Sequence, residues 1–258
     1  MKILCLLTLI LLVAPRFVSP ANDNSKKSLF ILAGQSNMSG RGGVDRDKWD
    51  GIVPPECRSN PSILRLSPGL TWEQAKEPLH EGIDFAKGLG VGPGMSFANY
   101  VLAKNRSLGP IGLIPCAVGA TYINDWFPGT FLFDRMMNRT KTAWQDGSTL
   151  WAILWYQGES DAINKEDANK YKQRLEQFIH DVRSYLNMPS LPFIQVGLAT
   201  GMGPYKNTVR KAQFAVKLPN VKIVDAKGLP IGRDYVHITT EAEVHLGKKL
   251  AKAFLGNF

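Results

Sequence analysis

Ser36 lies in the turn GQSNMSGRG at residues 34–42, directly after an apolar run at 29–32. A serine at the end of a buried strand, flanked by small residues, is placed to offer its hydroxyl to a substrate. To act as a nucleophile it needs a base, and the base needs an acid to orient it. Of the four histidines, His80 falls in a loop-like region, His180 within a long helical stretch and His245 inside the last helical stretch. His237 differs, because it stands just before that helix and three residues after Asp234. In a turn, this spacing can bring a carboxylate to Nδ1 and leave Nε2 to face Ser36. Asp161 is the other candidate acid; Asp234 is preferred because it is so close to His237 in sequence. An oxyanion hole would need donors, and the backbone N–H groups of Ser36 and Gly119, with the side-chain amide of Gln157, are suitable types. Glu159 is ionisable and only accepts when charged, so it is expected to brace the loops against Arg41. Gln35 and Asn37 flank the serine in the same supporting loop.

Positioning these groups requires particular elements. Apolar runs at 29–32, 63–66, 111–116, 150–156, 193–198 and 221–224 read as strands, and helical spacing falls at 94–104, 131–144, 166–186, 205–216 and 240–254. Thr240 and Glu243 have the spacing of a capping box. Strands apolar on both faces, alternating with helices, imply one α/β domain whose parallel sheet is covered on both sides. Ligands bind at the carboxyl ends of such strands. The polar turns around Ser36, Gly119 and Gln157 all follow strands, so they are expected to meet at one edge of the sheet.

Composition limits the functional classes. The 258 residues are 44% hydrophobic and 21% charged, enough for one sizeable core and without a disorder signature. Residues 1–21 combine Lys2, an apolar run at 3–14 and small residues at 19–21, as a secretory signal peptide does; the alternative is an N-terminal membrane anchor. Residues 22–258 would then be the mature domain, soluble, off the membrane, and secreted to the extracellular space or cell wall. Loss of Lys2 and Arg16 lowers the formal charge from +9 to +7, which favours an acidic polymer as partner. No zinc-finger spacing or basic-aromatic stripe points to nucleic acid. Cys57 and Cys116 could pair or remain as free thiols. Asn105 and Asn138 head glycosylation sequons. Asn37 does too, but a glycan there would obstruct the turn, so that site is expected to stay unmodified.

The blocks GQSNMSGRG at 34–42, VGAT at 118–121, WYQGESDA at 155–162 and DYVHIT at 234–239 resemble the SGNH (GDSL-like) hydrolase superfamily. More closely, they resemble its sialate O-acetylesterase-like branch, the plant-type carbohydrate esterases of carbohydrate esterase family six. They occur in family order and span almost all of the mature chain. The resemblance implies a three-layer α/β/α sandwich with a central parallel sheet, the flavodoxin-like SGNH fold. It implies Ser36 as nucleophile, His237 as base and Asp234 as its partner, with Ser36, Gly119 and Gln157 as oxyanion donors. Ala120 departs from the family's Gly-Gly-Thr turn, so its methyl group is expected to narrow the site or restrict the backbone. Gln157 stands where the wider superfamily has Asn.

The expectation is therefore a secreted serine esterase that removes acetyl groups from a carbohydrate or polysaccharide, with no metal or organic cofactor. An acetyltransferase using the same triad, or a carbohydrate-binding protein with a vestigial site, are the alternatives. Trp49, Trp72, Trp126 and Phe127 are candidate sugar platforms or ordinary packing residues. Xylan, pectin, sialic acid and small acetyl esters all fit, and the oligomeric state is left open.

Overall fold

The computed structural model describes residues 26–85, 88–145 and 147–256. The expected signal peptide at 1–21 lies outside the described residues. In chain order the elements are β1 (Ser28–Gly34), α1 (Ser36–Ser39), β2 (Val44–Asp45), β3 (Lys48–Trp49), β4 (Ile63–Leu66), β5 (Trp72–Gln74), α2 (Pro93–Lys104), β6 (Ile111–Pro115) and α3 (Phe131–Ala143). They continue with β7 (Thr149–Tyr156), α4 (Lys165–Tyr185), β8 (Phe193–Gly197), α5 (Lys206–Phe214), β9 (Val221–Asp225) and α6 (Thr240–Leu255). Seven strands form one sheet in the order β5-β4-β6-β1-β7-β8-β9, parallel except where β5 pairs antiparallel with β4.

The expected α/β class and all six expected strands are present. The sheet is mixed, however, because β5, for which the sequence carries no signal, pairs antiparallel with β4. Three residues, Trp72-Glu73-Gln74, are too few to show periodicity, and the turn before them is held by Ser67 and Thr71. The two-residue strands β2 and β3 escaped for the same reason.

The strand β1 lies at the centre, with residues 29–33 wholly buried. Phe30 meets Phe97 of α2 and Phe254 of α6 edge-on, with ring centroids 5.0 and 4.9 Å apart. Across the register, Ala33 pairs with Trp155, whose ring lies 4.5 Å from that of Phe178 on α4. Alternation along the strand thus gives one face to α2 and α6 and the other to α4. A bulge after Leu150 skips Trp151 in the register, so Trp151 contacts Phe254 while Trp155, four residues on, packs against Phe178. On α4, Tyr171, Leu175, Phe178, Ile179 and Val182 form the buried stripe that their spacing predicts.

The start of α6 corrects the expected capping box. Thr239, not Thr240, is the N-cap, accepting a hydrogen bond from the Ala242 N–H. Glu243 turns inward instead and is fully buried.

Strands β6, β1 and β7 are neighbours and parallel, so their carboxyl ends come together. The chain leaves β1 for strands on one side and returns to build β7 on the other. That reversal opens a crevice at the sheet edge, where α/β proteins bind ligands.

Candidate active site

Backbone chemistry places Ser36 first. Gly34 ends β1 with φ +124°, and a Cβ there would lie 2.1 Å from the Tyr156 carbonyl oxygen. Only glycine therefore allows the ends of β1 and β7 to approach this closely before the chain turns into α1. Ser36 is the first residue of that helical turn and is 6% exposed.

His237 arrives from the loop before α6. Its Nε2 is 2.8 Å from Ser36 Oγ, and its Nδ1 is 2.6 Å from Asp234 Oδ2. The second Asp234 oxygen accepts the N–H groups of Val236 and His237, each at 2.9 Å. Tyr235, between the two, adopts φ +60° and closes this turn. An ionised carboxylate only accepts, so it selects the tautomer with hydrogen on Nδ1 and leaves Nε2 to accept from the Ser36 hydroxyl.

Burial raises the Asp234 pKa, but the two N–H groups and the imidazole outweigh it and hold the carboxyl below its ordinary range. Burial also pushes His237 below its ordinary 6.5, against the opposing pull of Asp234. The imidazole is therefore neutral at neutral pH and able to take a proton.

Asn37 ties the two loops together. Its amide nitrogen donates to Glu159 at 2.7 Å and to the Val236 carbonyl at 3.4 Å, and its oxygen accepts the Ile238 N–H at 3.1 Å. Asn37 is fully buried, and this sequon is inaccessible in the folded chain. Asn105 and Asn138 are exposed. Gln35 links the third block, its oxygen accepting from Gly158 N–H and the Gln157 amide, each at 3.3 Å.

Three expectations change. Glu159 braces Asn37, not Arg41; burial raises its pKa to about 7. Arg41 pairs with Asp84 at 2.8 Å, both side chains being almost wholly buried. Gln157 is held away from an oxyanion role: its amide nitrogen reaches Asp161 at 2.6 Å, the Thr121 carbonyl at 2.8 Å and Gln35, more acceptors than it has hydrogens. Asp161, the rival acid, is thereby placed in this network, where it also accepts the Ile123 N–H, rather than at His237. Burial raises its pKa to about 6.

Gly119 does lie beside the serine, since a Cβ there would touch Ser36 Cβ at 3.5 Å. Its N–H donates to Asp84 Oδ1 at 3.2 Å, a long bond. Ala120 adopts φ +59°, so the substitution restricts the backbone as expected, holding an alanine in a region that favours glycine.

Asp84 is the main residue that sequence reasoning missed. Its carboxylate also accepts from Ser39 at 2.6 Å, yet nothing marks it among the glycines and prolines of its loop. Cys57 and Cys116 are both buried free thiols. Of the proposed platforms, Trp126 is fully buried against Trp155 and belongs to the core. Among the described residues no helix is long and apolar enough to cross a membrane.

Fold and site together define an α/β protein whose serine, imidazole and carboxylate form one hydrogen-bonded chain at the sheet edge. The family model "Carbohydrate esterase, sialic acid-specific acetylesterase" matches residues 26–256, and the chain belongs to that family of carbohydrate esterases. It is 51% identical over 253 residues, 95% of each chain, to a protein of Arabidopsis thaliana named probable carbohydrate esterase. It superposes on a crystal structure from Arabidopsis thaliana with a TM-score of 0.87 at 52% identity, covering 91% of this chain and all of that one. The crystal structure of NanS shares the fold, with a TM-score of 0.69 at 16% identity over 90% of this chain and 97% of its own.

Proposed function

We propose that this carbohydrate esterase is a secreted serine esterase that removes acetyl groups from a carbohydrate through an acyl-enzyme. The observation that carries the reading is the continuous chain from Ser36 Oγ through His237 to Asp234, at 2.8 and 2.6 Å. Ser36 Oγ attacks the acetyl carbonyl carbon as its proton passes to His237 Nε2. Asp234 stabilises the imidazolium that forms. The Ser36 N–H opens a helical turn, so it has no carbonyl four residues behind it to bond, and it is the first oxyanion donor. The Gly119 N–H is the second, once it exchanges its long bond to Asp84 for the developing oxyanion. His237 then returns the proton to the departing sugar oxygen, and water releases acetate by the same steps in reverse.

Ser36→Ala should reduce acetate release from a chromogenic acetyl ester to background while leaving the circular dichroism unchanged, and should abolish labelling by a fluorophosphonate. Full activity in that variant refutes the mechanism. The base must be neutral, so kcat/KM should rise with pH to a plateau whose midpoint lies below 6.5, the ordinary imidazole value. Secretion rests on the leader at 1–21, and amino-terminal sequencing of exported protein should begin near Asn22. A mobility shift on deglycosylation should be lost with Asn105→Gln and Asn138→Gln together.

A further inference from the structure

Phe85 and Phe131 stand side by side on the surface, each 65% exposed, with ring centroids 6.0 Å apart and planes 37° from parallel. The Arg135 guanidinium lies over both, 4.9 and 5.9 Å from the centroids. One of its five N–H donors is fixed on the Ile83 carbonyl at 2.8 Å. Among the described residues Arg135 forms no ion pair, so its charge is not matched by a contacting carboxylate.

The location carries the argument. Phe85 follows Asp84 directly, about 3.8 Å further along the chain. The Asp84 carboxylate accepts the Gly119 N–H, and a Cβ on Gly119 would lie 3.5 Å from Ser36 Cβ. One ring of the aromatic pair is therefore the immediate chain neighbour of a side chain that bonds beside Ser36. Two large apolar rings left in water at such a place mark a ligand surface. The apolar face of a pyranose ring can cover them, and a guanidinium beside them matches a carboxylate on that ring. The mature chain keeps a formal charge of +7 once Lys2 and Arg16 leave the +9 of the full sequence, which favours the same kind of partner.

We propose that Phe85, Phe131 and Arg135 form a subsite for a carboxylate-bearing sugar residue next to the acetylated one, which makes an acidic polysaccharide the substrate class. This inference rests on the esterase reading above. Its test separates the two.

Full-length Ser36→Ala protein is titrated by calorimetry with trigalacturonate and with the neutral xylotriose. Trigalacturonate should bind more tightly. Phe85→Ala with Phe131→Ala, and separately Arg135→Gln, should each weaken it by roughly tenfold, and Arg135→Gln should leave xylotriose unaffected. In the Ser36 enzyme the same changes should lower kcat/KM on acetylated pectin by about as much, leaving 4-nitrophenyl acetate, which has no second ring, unchanged. Equal binding of the two trisaccharides, binding of neither, or unaltered trigalacturonate affinity in the variants would overturn the subsite. An equal loss on 4-nitrophenyl acetate would do so as well, by showing a structural role. Should the Ser36 enzyme hydrolyse no acetyl ester, the esterase reading fails while the titrations still decide the subsite.

Discussion

The two halves of this site contrast sharply in their surroundings. Gln35, Ser36, Asn37 and Ser39 are all buried at the end of the central strand, hemmed in by β6 and β7. Asp234 and His237 sit on a loop whose side chains are 49% and 24% exposed, and Tyr235 between them is 83% exposed. Ser36, the proposed nucleophile, is positioned by the sheet itself, through the close approach that Gly34 permits. His237, the proposed base, is positioned by a local turn, and the bonds from Asn37 secure that turn to the rest of the protein. Changes on the loop should therefore damage chemistry without damaging the fold, whereas loss of a strand-side residue that ties the loops together, such as Asn37, should damage both.

Asp234→Asn presses hardest on this contrast. It should lower kcat by on the order of 10³–10⁴, because the amide no longer selects the productive tautomer, and shift Tm by less than about 2 °C. A large loss of Tm would show that the loop is structural after all. Asn37→Ala should lose on both counts. Freeing the Ile238 N–H and stranding Glu159 should cost about 2–3 kcal/mol by denaturant titration, and kcat should fall on the order of a hundredfold as the base loop drifts.

A pH series sharpens the strand side, where the buried acids lie. Burial raises Glu77 to about 8, Glu159 to about 7 and Asp161 to about 6. The folded chain keeps these protons where the unfolded chain has already released them, so the acids' contribution to stability declines as pH rises through this range, while the lowered histidines His80 and His237 oppose it only below 6.5. Tm measured by calorimetry should fall by roughly 5–10 °C between pH 5 and pH 8. Lowered carboxylates such as Asp225 and Asp234 act in the opposite direction only below about pH 4. Smallest of all, Ala120→Gly should change stability by less than about 1 kcal/mol, relief of the positive φ being offset by a more flexible unfolded chain.

Much of the strand side was legible in sequence, because an apolar run ending in a glycine-rich polar turn reports burial and strand end together. The Asp234–His237 pair was legible because its partners are three residues apart. The pairing of Arg41 with Asp84 was not, since it joins residues 43 apart across a loop without periodicity. Gln157 shows a different limit. Its amide was the right chemical type for an oxyanion donor, but hydrogen-bond competition from Asp161 and Thr121 exists only in three dimensions. For the aromatics, Trp126 and Phe85 look alike as letters, and packing alone sends one to the core and the other to the surface.

The span of the Ser36–His237 bond has a consequence for how activity is acquired. Its two partners are 201 residues apart, and Asn37 reaches Glu159 across 122. Contacts so distant along the chain close late, after local helices have formed. On refolding from denaturant, helical circular dichroism should thus return before esterase activity, with fluorophosphonate labelling of Ser36 keeping pace with the activity. A newly made chain would remain catalytically silent until the loop carrying Asp234 and His237 had docked.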